Sequence, residues 1–315
     1  MSQVFLTYSV DEESMLPAFL RLIFQTPSFW EEMSNRAQGT VMRRKTISND
    51  AFLDILVPSP PLPEQRRIVD LLDAFDEQAA ALVSERKAVV EVLHRLLDQA
   101  WDDPDEVIPV GSVADLASGP SWAAADERPV PEPGTTPVVK ITNTRPDGRL
   151  DLSERLYVMS LASTRLLDNR SLIAIRTNGN RERIGNVYLP NDDVFGSAVS
   201  AFQFIVQCQS SENRDYLYWV LRAPRTQRIM SDAASGSTGL GNMGARWLRA
   251  LEVPWPDVEA RTRFVQRASA TACVLDGLLS EWECLRVVRS TLLTNLLSGE
   301  LDIAESNDGI LREAV

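Results

Sequence analysis

The densest set of side chains able to recognise another molecule lies in SLIAIRTNGNRERIGNVYLP, from Ser171. A short apolar run leads into Arg176, Thr177, Asn178, Gly179, Asn180, Arg181, Glu182 and Arg183, and the chain then turns apolar again, the pattern of a strand, a polar tip and a returning strand. Arginine matches the O6 and N7 acceptors of guanine, asparagine matches N6 and N7 of adenine, and glycine lets backbone come close to a phosphate. The tip could therefore read duplex DNA. The same composition suits a solvated hairpin, where Asn and Gly accept positive φ, so the tip by itself leaves both readings open. A second stretch, VVKITNTRPDGRLDLSE from Val138, places Lys140, Thr142, Asn143 and Arg145 just before a Pro-Asp-Gly turn. A third, SGSTGLGNMGARW from Ser235, offers hydroxyl and N–H donors, among them Ser237 and Thr238, with Arg246 close behind.

Chemistry beyond binding is not indicated. No GxxxxGK[ST] phosphate loop occurs, and the glycines after Ser235 do not follow a strand into a dinucleotide-binding unit. There is no S-adenosylmethionine glycine loop, no Asn-Pro-Pro-Tyr-type tetrad and no nuclease-like cluster of carboxylates with lysine. The single histidine, His94, lies inside a long helical pattern, away from any nucleophile motif. Cys208, Cys273 and Cys284 form no CxxC, so neither a disulfide framework nor a zinc site is expected. The reading is a chain with no catalytic residue, metal or cofactor of its own. Its start lacks a basic region followed by an apolar run, and nowhere do about 18 uncharged apolar residues follow one another. A soluble cytoplasmic protein with no membrane partner is expected.

The net charge of -12 opposes simple DNA binding, because phosphate contacts need Lys and Arg. Its distribution matters more. Residues 1–109 carry 10 basic and 19 acidic side chains, residues 110–255 carry 16 and 15, and residues 256–315 carry 6 and 10. The middle segment, which holds all three candidate stretches, is the least acidic. Acidic flanks would keep non-specific affinity low while a local basic loop does the reading.

An internal repeat organises the elements that must position these loops. A shift of 196 places VPSPPLPEQRRIVDLLDAF, from Val57, over VPWPDVEARTRFVQRASAT, from Val253, and the match continues without a gap to Leu97 over Leu293. Twelve of the 41 pairs are identical, including Val57/Val253, Pro58/Pro254, Pro60/Pro256, Arg67/Arg263, Glu85/Glu281 and Leu96/Leu292. Upstream the shift becomes 197, pairing Leu20 with Leu217, Pro27 with Pro224, Met33 with Met230 and Phe5 with Phe202. On this alignment the second unit begins near residue 108 and the first copy lacks about 90 residues of its counterpart.

Each copy ends in a predicted long helix. Pro63 and Glu64 open the first, proline where no N–H partner is needed and the carboxylate near the positive end. Ile68, Leu72, Phe75, Ala79, Leu82, Arg86, Val89, Leu93 and Leu96 then follow alternating spacings of four and three. Phe264, Ala268, Thr271, Leu275, Leu278, Trp282, Leu285, Arg289 and Leu292 repeat the stripe. Helices of this length span about 50 Å, and one apolar seam on each calls for a partner. Two copies related by a pseudo-twofold axis would pair antiparallel, with globular parts at opposite ends. Between the helices, apolar runs at Pro137–Ile141, Ser171–Ile175, Gly185–Leu189 and Ala201–Val206 read as strands, followed by a helix over 214–231.

VPSPPLPEQRRIVDLLDAFDEQ resembles the start of a conserved helical region in the specificity subunits of type I restriction-modification enzymes. RTNGNRERIGNVYLP and GSTGLGNMGARWLRALEVPWP also resemble elements of their target-recognition domains, so the resemblance covers essentially the whole chain. It implies an α+β protein, with mixed α/β target-recognition domains joined by two long helices in an antiparallel coiled coil. Residues 1–57 would end a first recognition domain, 58–107 form the central conserved helix, 108–255 a complete second domain, 256–300 the C-terminal conserved helix and 301–315 an acidic tail. The implied role is non-catalytic recognition of double-stranded DNA. Two methyltransferase subunits, which bind S-adenosylmethionine, would dock on the helices, and a translocase-nuclease subunit would cleave. Two departures stand out: the first recognition domain lacks its opening, and VEARTRF replaces PEQRRIV in the second copy. They leave open a scaffold that binds methyltransferase subunits without full bipartite specificity.

Overall fold

The computed structural model describes residues 7–38, 46–161, 165–234 and 241–301. Its helices are α1 (Pro17–Ile23), α2 (Pro27–Arg36), α3 (Asn49–Leu53), α4 (Leu62–Asp98), α5 (Ser211–Arg222), α6 (Pro224–Asp232), α7 (Ala245–Ala250) and α8 (Val258–Ser298). The chain divides into two compact units, Met1–Ala88 with Leu275–Val315, and Val89–Val274. Among the described residues no helix is long and apolar enough to cross a membrane.

The first unit is helical. Pro17 and Pro27 stand at the start of their helices, where a missing N–H costs nothing. Thr26 Oγ1 accepts from Phe29 N–H at 3.3 Å, and Ser48 Oγ accepts from Ala51 N–H at 3.2 Å, capping α2 and α3. The core joins Phe19, Leu22, Ile23 and Phe29 to Ile68, Val69 and Leu72 of α4 and to Leu293 and Leu296 of α8. Burying each such side chain contributes about 1.5–3 kcal/mol. Asp76 pairs with Arg289 at 2.6 Å, farther along α4 but nearer the start of α8, so the two helices run antiparallel in this unit.

The burial of the long helices follows a seven-residue period. On α4, Ile68, Leu72, Leu82, Leu93 and Leu96 are buried, and Phe75, Ala79, Arg86 and Val89 are half-buried. On α8, Ala268 is buried, while Phe264, Thr271, Leu275, Leu278, Trp282, Leu285, Arg289 and Leu292 are half-buried. Near its end α8 buries Leu293 and Leu296 more deeply than Leu292, as a turn of about 3.6 residues drifts against a seven-residue repeat.

Gln65 explains why the first copy reads Pro-Glu-Gln. Fully buried, it donates Nε2 to the carbonyls of Ser14 at 3.0 Å and Pro60 at 2.8 Å, and accepts Leu16 N–H on Oε1 at 2.8 Å. One amide thus satisfies three backbone groups around the entry to α4. At the repeat-equivalent position in the second unit, Arg261 donates Nη1 to Pro256 O at 2.9 Å and stacks over Trp255, 4.5 Å from the ring centroid. The motif differs between copies, and the bond to the proline carbonyl persists.

The second unit is built on sheets. β2 (Ala114–Ser118), β10 (Gln203–Cys208), β6 (Ser171–Ile175) and β8 (Val187–Tyr188) form an antiparallel sheet in that order. β3 (Glu127–Arg128), β5 (Leu156–Met159), β4 (Thr135–Val139) and β9 (Ala198–Val199) form another, with β4 and β9 parallel. β1 (Val107–Pro109) pairs with β12 (Glu252–Pro254), and β7 (Thr177–Asn178) with β11 (Gly241–Asn242). Ile173, Ile175, Tyr188, Val199 and Ile205 share one core with Val139, Leu167 and Val194. Every residue of β6 is buried, as its unbroken SLIAI run demands.

The predicted strand at Pro137–Ile141 ends at Val139, because Ile141–Asn143 turns into a 3-10 helix held by Asn143. The strands predicted at Gly185–Leu189 and Ala201–Val206 are found at Val187–Tyr188 and Gln203–Cys208, tight turns taking the residues before them. The single helix predicted over 214–231 is two, α5 and α6. Pro224 lacks the N–H that would continue α5 and holds Ala223 extended, at φ -56° and ψ 135°. Pro27, its repeat partner, opens α2 in the same way.

Replacing Gln65 by Ala leaves the Leu16 N–H and two carbonyls without partners and is expected to destabilise the first unit by about 2 kcal/mol. Amide hydrogen exchange should show the lost protection in α1 and the first turns of α4. Unchanged exchange there would contradict this role.

Candidate nucleic-acid interface

β6 ends at Ile175, and the next two residues grip the turn before β10. The N–H groups of Arg176 and Thr177 both donate to the Phe202 carbonyl, at 2.9 and 3.1 Å. β7 then pairs with β11, Asn178 opposite Gly241 and Thr177 opposite Asn242, and Met243 N–H donates to Arg176 O at 2.9 Å. This ladder lays the described part of the third candidate stretch beside the polar tip.

Arg176 is ordered by side chains as well. Its Nε donates to Asn242 Oδ1 at 3.1 Å, Nη1 approaches Ser118 Oγ at 3.4 Å, and the guanidinium lies over Phe204, 5.5 Å from the centroid. Thr177 Oγ1 donates to the same Asn242 oxygen at 2.9 Å. Arg176 forms no ion pair among the described residues, so its charge is not cancelled locally. Beyond it, Asn178 Oδ1 accepts from Asn180 N–H at 2.8 Å, and Asn180 Oδ1 accepts from Glu182 N–H at 3.0 Å, capping the short turn Arg181–Arg183. Asn180 and Arg181 are exposed, and Asn178 is half-buried. Gly185 closes the tip at φ +86°, where a Cβ would come within 2.7 Å of Met230 Cβ.

Two residues read from sequence as candidate DNA contacts are engaged within the chain. Asn143 is buried: its Oδ1 accepts Lys140 N–H at 2.9 Å, and its Nδ2 donates to the carbonyls of Asp151 at 2.9 Å and Glu154 at 2.8 Å. Such an amide shapes the loop and has no capacity left for adenine. Arg183 is half-buried, with Nη2 donating to Thr144 O at 2.5 Å and to Thr144 Oγ1 at 3.1 Å. It bolts the tip to the second stretch, and Tyr188 adds a bond from its hydroxyl to Arg145 O at 2.9 Å. The isolated sequence shows neither bond, since both join residues about 40 positions apart.

Of the other candidates in the second stretch, Thr142 and Arg145 are exposed and Lys140 is half-buried. Arg145 pairs with Asp151. The Ser153 hydroxyl and N–H, together with Arg145, hold the Asp151 carboxyl down at about 2, so it is ionised at neutral pH and offsets the arginine charge. Arg246 is exposed on α7, three residues past the Met243 bond. Ser237 and Thr238 lie outside the described residues. Ser118, Asn242 and Phe204, which fix Arg176, were not singled out from sequence. Asn242 stands within SGSTGLGNMGARW, where nothing in composition distinguishes it from its neighbours.

The described surface offers oriented donors and uncancelled positive charge, and no three His, Cys, Asp or Glu side chains gather as a metal set among the described residues. Residues 3–92 match the family described as the type I restriction modification DNA specificity domain. No curated protein matches the chain. The fold is similar to the type I restriction-modification S subunit from M. genitalium, at 15% identity and a TM-score of 0.55, over 94% of this chain and 75% of that one. It is also similar to a chain solved in work on complex assembly and conformational transition of the type I R-M system, at 17% identity and TM-score 0.59, covering 92% and 73%.

Arg183→Met is expected to strip Thr144 of its donor and cost about 2 kcal/mol of stability. Hydrogen exchange across residues 142–151 should rise. Unchanged exchange there would show that the two stretches are held together by other means.

Proposed function

We propose that this chain, which resembles type I restriction-modification specificity subunits across its fold and matches their domain family over residues 3–92, is a non-catalytic DNA-recognition subunit. The observation that carries the proposal is the convergence of Arg176, Asn178, Asn180 and Arg181 with β11 and, through Arg183, with the stretch carrying Thr142 and Arg145. These donors belong to one folded surface, as reading successive base pairs requires. Asn143 and Arg183 position it. Arg176 is the side chain best placed to meet guanine, because Asn242 and Phe204 restrict its guanidinium before DNA arrives.

The long helices would dock methyltransferase subunits, which would supply S-adenosylmethionine and the methyl-transfer chemistry; a translocase-nuclease subunit would complete a restriction complex.

Two substitutions test the reading. Arg176→Ala should lower discrimination between the preferred duplex and one altered at a single base pair by about 1–3 kcal/mol, and Arg176→Lys should not restore it, since ammonium cannot make the planar bidentate contact. Sequence preference unchanged in Arg176→Ala would defeat the assignment. Asp151→Asn should release Arg145 for a phosphate and steepen the dependence of binding on log salt by about one. A slope equal to wild type would place Arg145 away from the backbone.

A further inference from the structure

Phe202 is an aromatic side chain left 50% exposed in the turn between β9 and β10, although its neighbours Ser200 and Gln203 are buried. The turn that carries it is clamped. Gln203 Oε1 accepts Ser200 N–H at 3.1 Å and Ser200 Oγ–H at 2.6 Å, Gln203 N–H donates to Ser200 O at 3.0 Å, and the Phe202 carbonyl takes the two N–H groups of Arg176 and Thr177. Gly119 N–H donates to Gln203 O at 3.1 Å. Its lack of a side chain is required there, because a Cβ would stand 2.2 Å from Val199 O and 2.3 Å from Ser200 O. The aromatic residue therefore projects from backbone that is already ordered, so contact with a ligand loses little entropy.

The backbone junction that carries it also carries polar side chains. Arg176 and Thr177 are bonded directly to its carbonyl, and Ser118 and Asn242 are the partners of Arg176. An exposed apolar ring carried by the same junction as these donors complements the major-groove edge of a base-pair step, which presents acceptors and, at thymine, a C5-methyl group. We infer that Phe202 is a specificity-determining residue that packs on the C5-methyl of a thymine neighbouring the base pair met by Arg176. The inference rests on the DNA-recognition reading above and adds an apolar contact to its polar ones.

The test uses the full chain and a duplex it selects from a random pool, with each thymine replaced in turn by deoxyuridine, which lacks only the methyl. At one position the replacement should weaken wild-type binding roughly three- to tenfold, the scale of one buried methyl. Phe202→Ala should bind the thymine duplex more weakly by a similar factor and be indifferent to that replacement, whereas Phe202→Leu should keep part of the methyl preference. Equal methyl preference in Phe202→Ala and wild type, or a selected site without thymine, would overturn the inference while leaving DNA recognition standing. Failure to select any duplex would overturn both.

Discussion

The proposed recognition surface depends on one backbone junction: the N–H groups of Arg176 and Thr177 converging on the Phe202 carbonyl at 2.9 and 3.1 Å. It ends β6, fixes the turn into β10 and sets the direction in which the polar tip leaves the sheet. Because β6 is buried along its whole length, the junction inherits the rigidity of the core. Polar loops satisfy their backbone groups somehow. Here they do so largely within the chain, through β11, Asn143 and Arg183, so the tip is held in place by its own fold.

The two long helices show how one sequence repeat yields two local solutions. Gln65 closes the entry to α4 with a buried amide, and Arg261 closes the corresponding entry to α8 with a carbonyl bond and stacking on Trp255. A glutamine suits a fully enclosed site because it is neutral and both donates and accepts. An arginine suits a partly open one because its charge stays hydrated while its plane covers an aromatic ring.

The long helices were legible in sequence because burial on a helix follows period, and the stripes from Ile68 to Leu96 and from Phe264 to Leu292 keep theirs. β6 was legible because an apolar run of five between polar residues has few other destinations. The break at Pro224 could have been read from proline itself, and the apolar pattern continuing through it hid the break. The site was legible only as composition. Which polar residues face outward depends on distant partners: Asn143 turns inward to Asp151 and Glu154, Arg183 crosses to Thr144, and Arg176 is set by Ser118 and Asn242. Residue type cannot encode those pairings.

The most direct measurement is amide hydrogen exchange of the full chain with and without duplex DNA at moderate salt. Slowed exchange is expected at residues 142–151, 176–183, 200–204 and 241–246, with the core of β6 unchanged because it is already protected. Saturating DNA that leaves all four segments unaltered and protects other surfaces instead would contradict it.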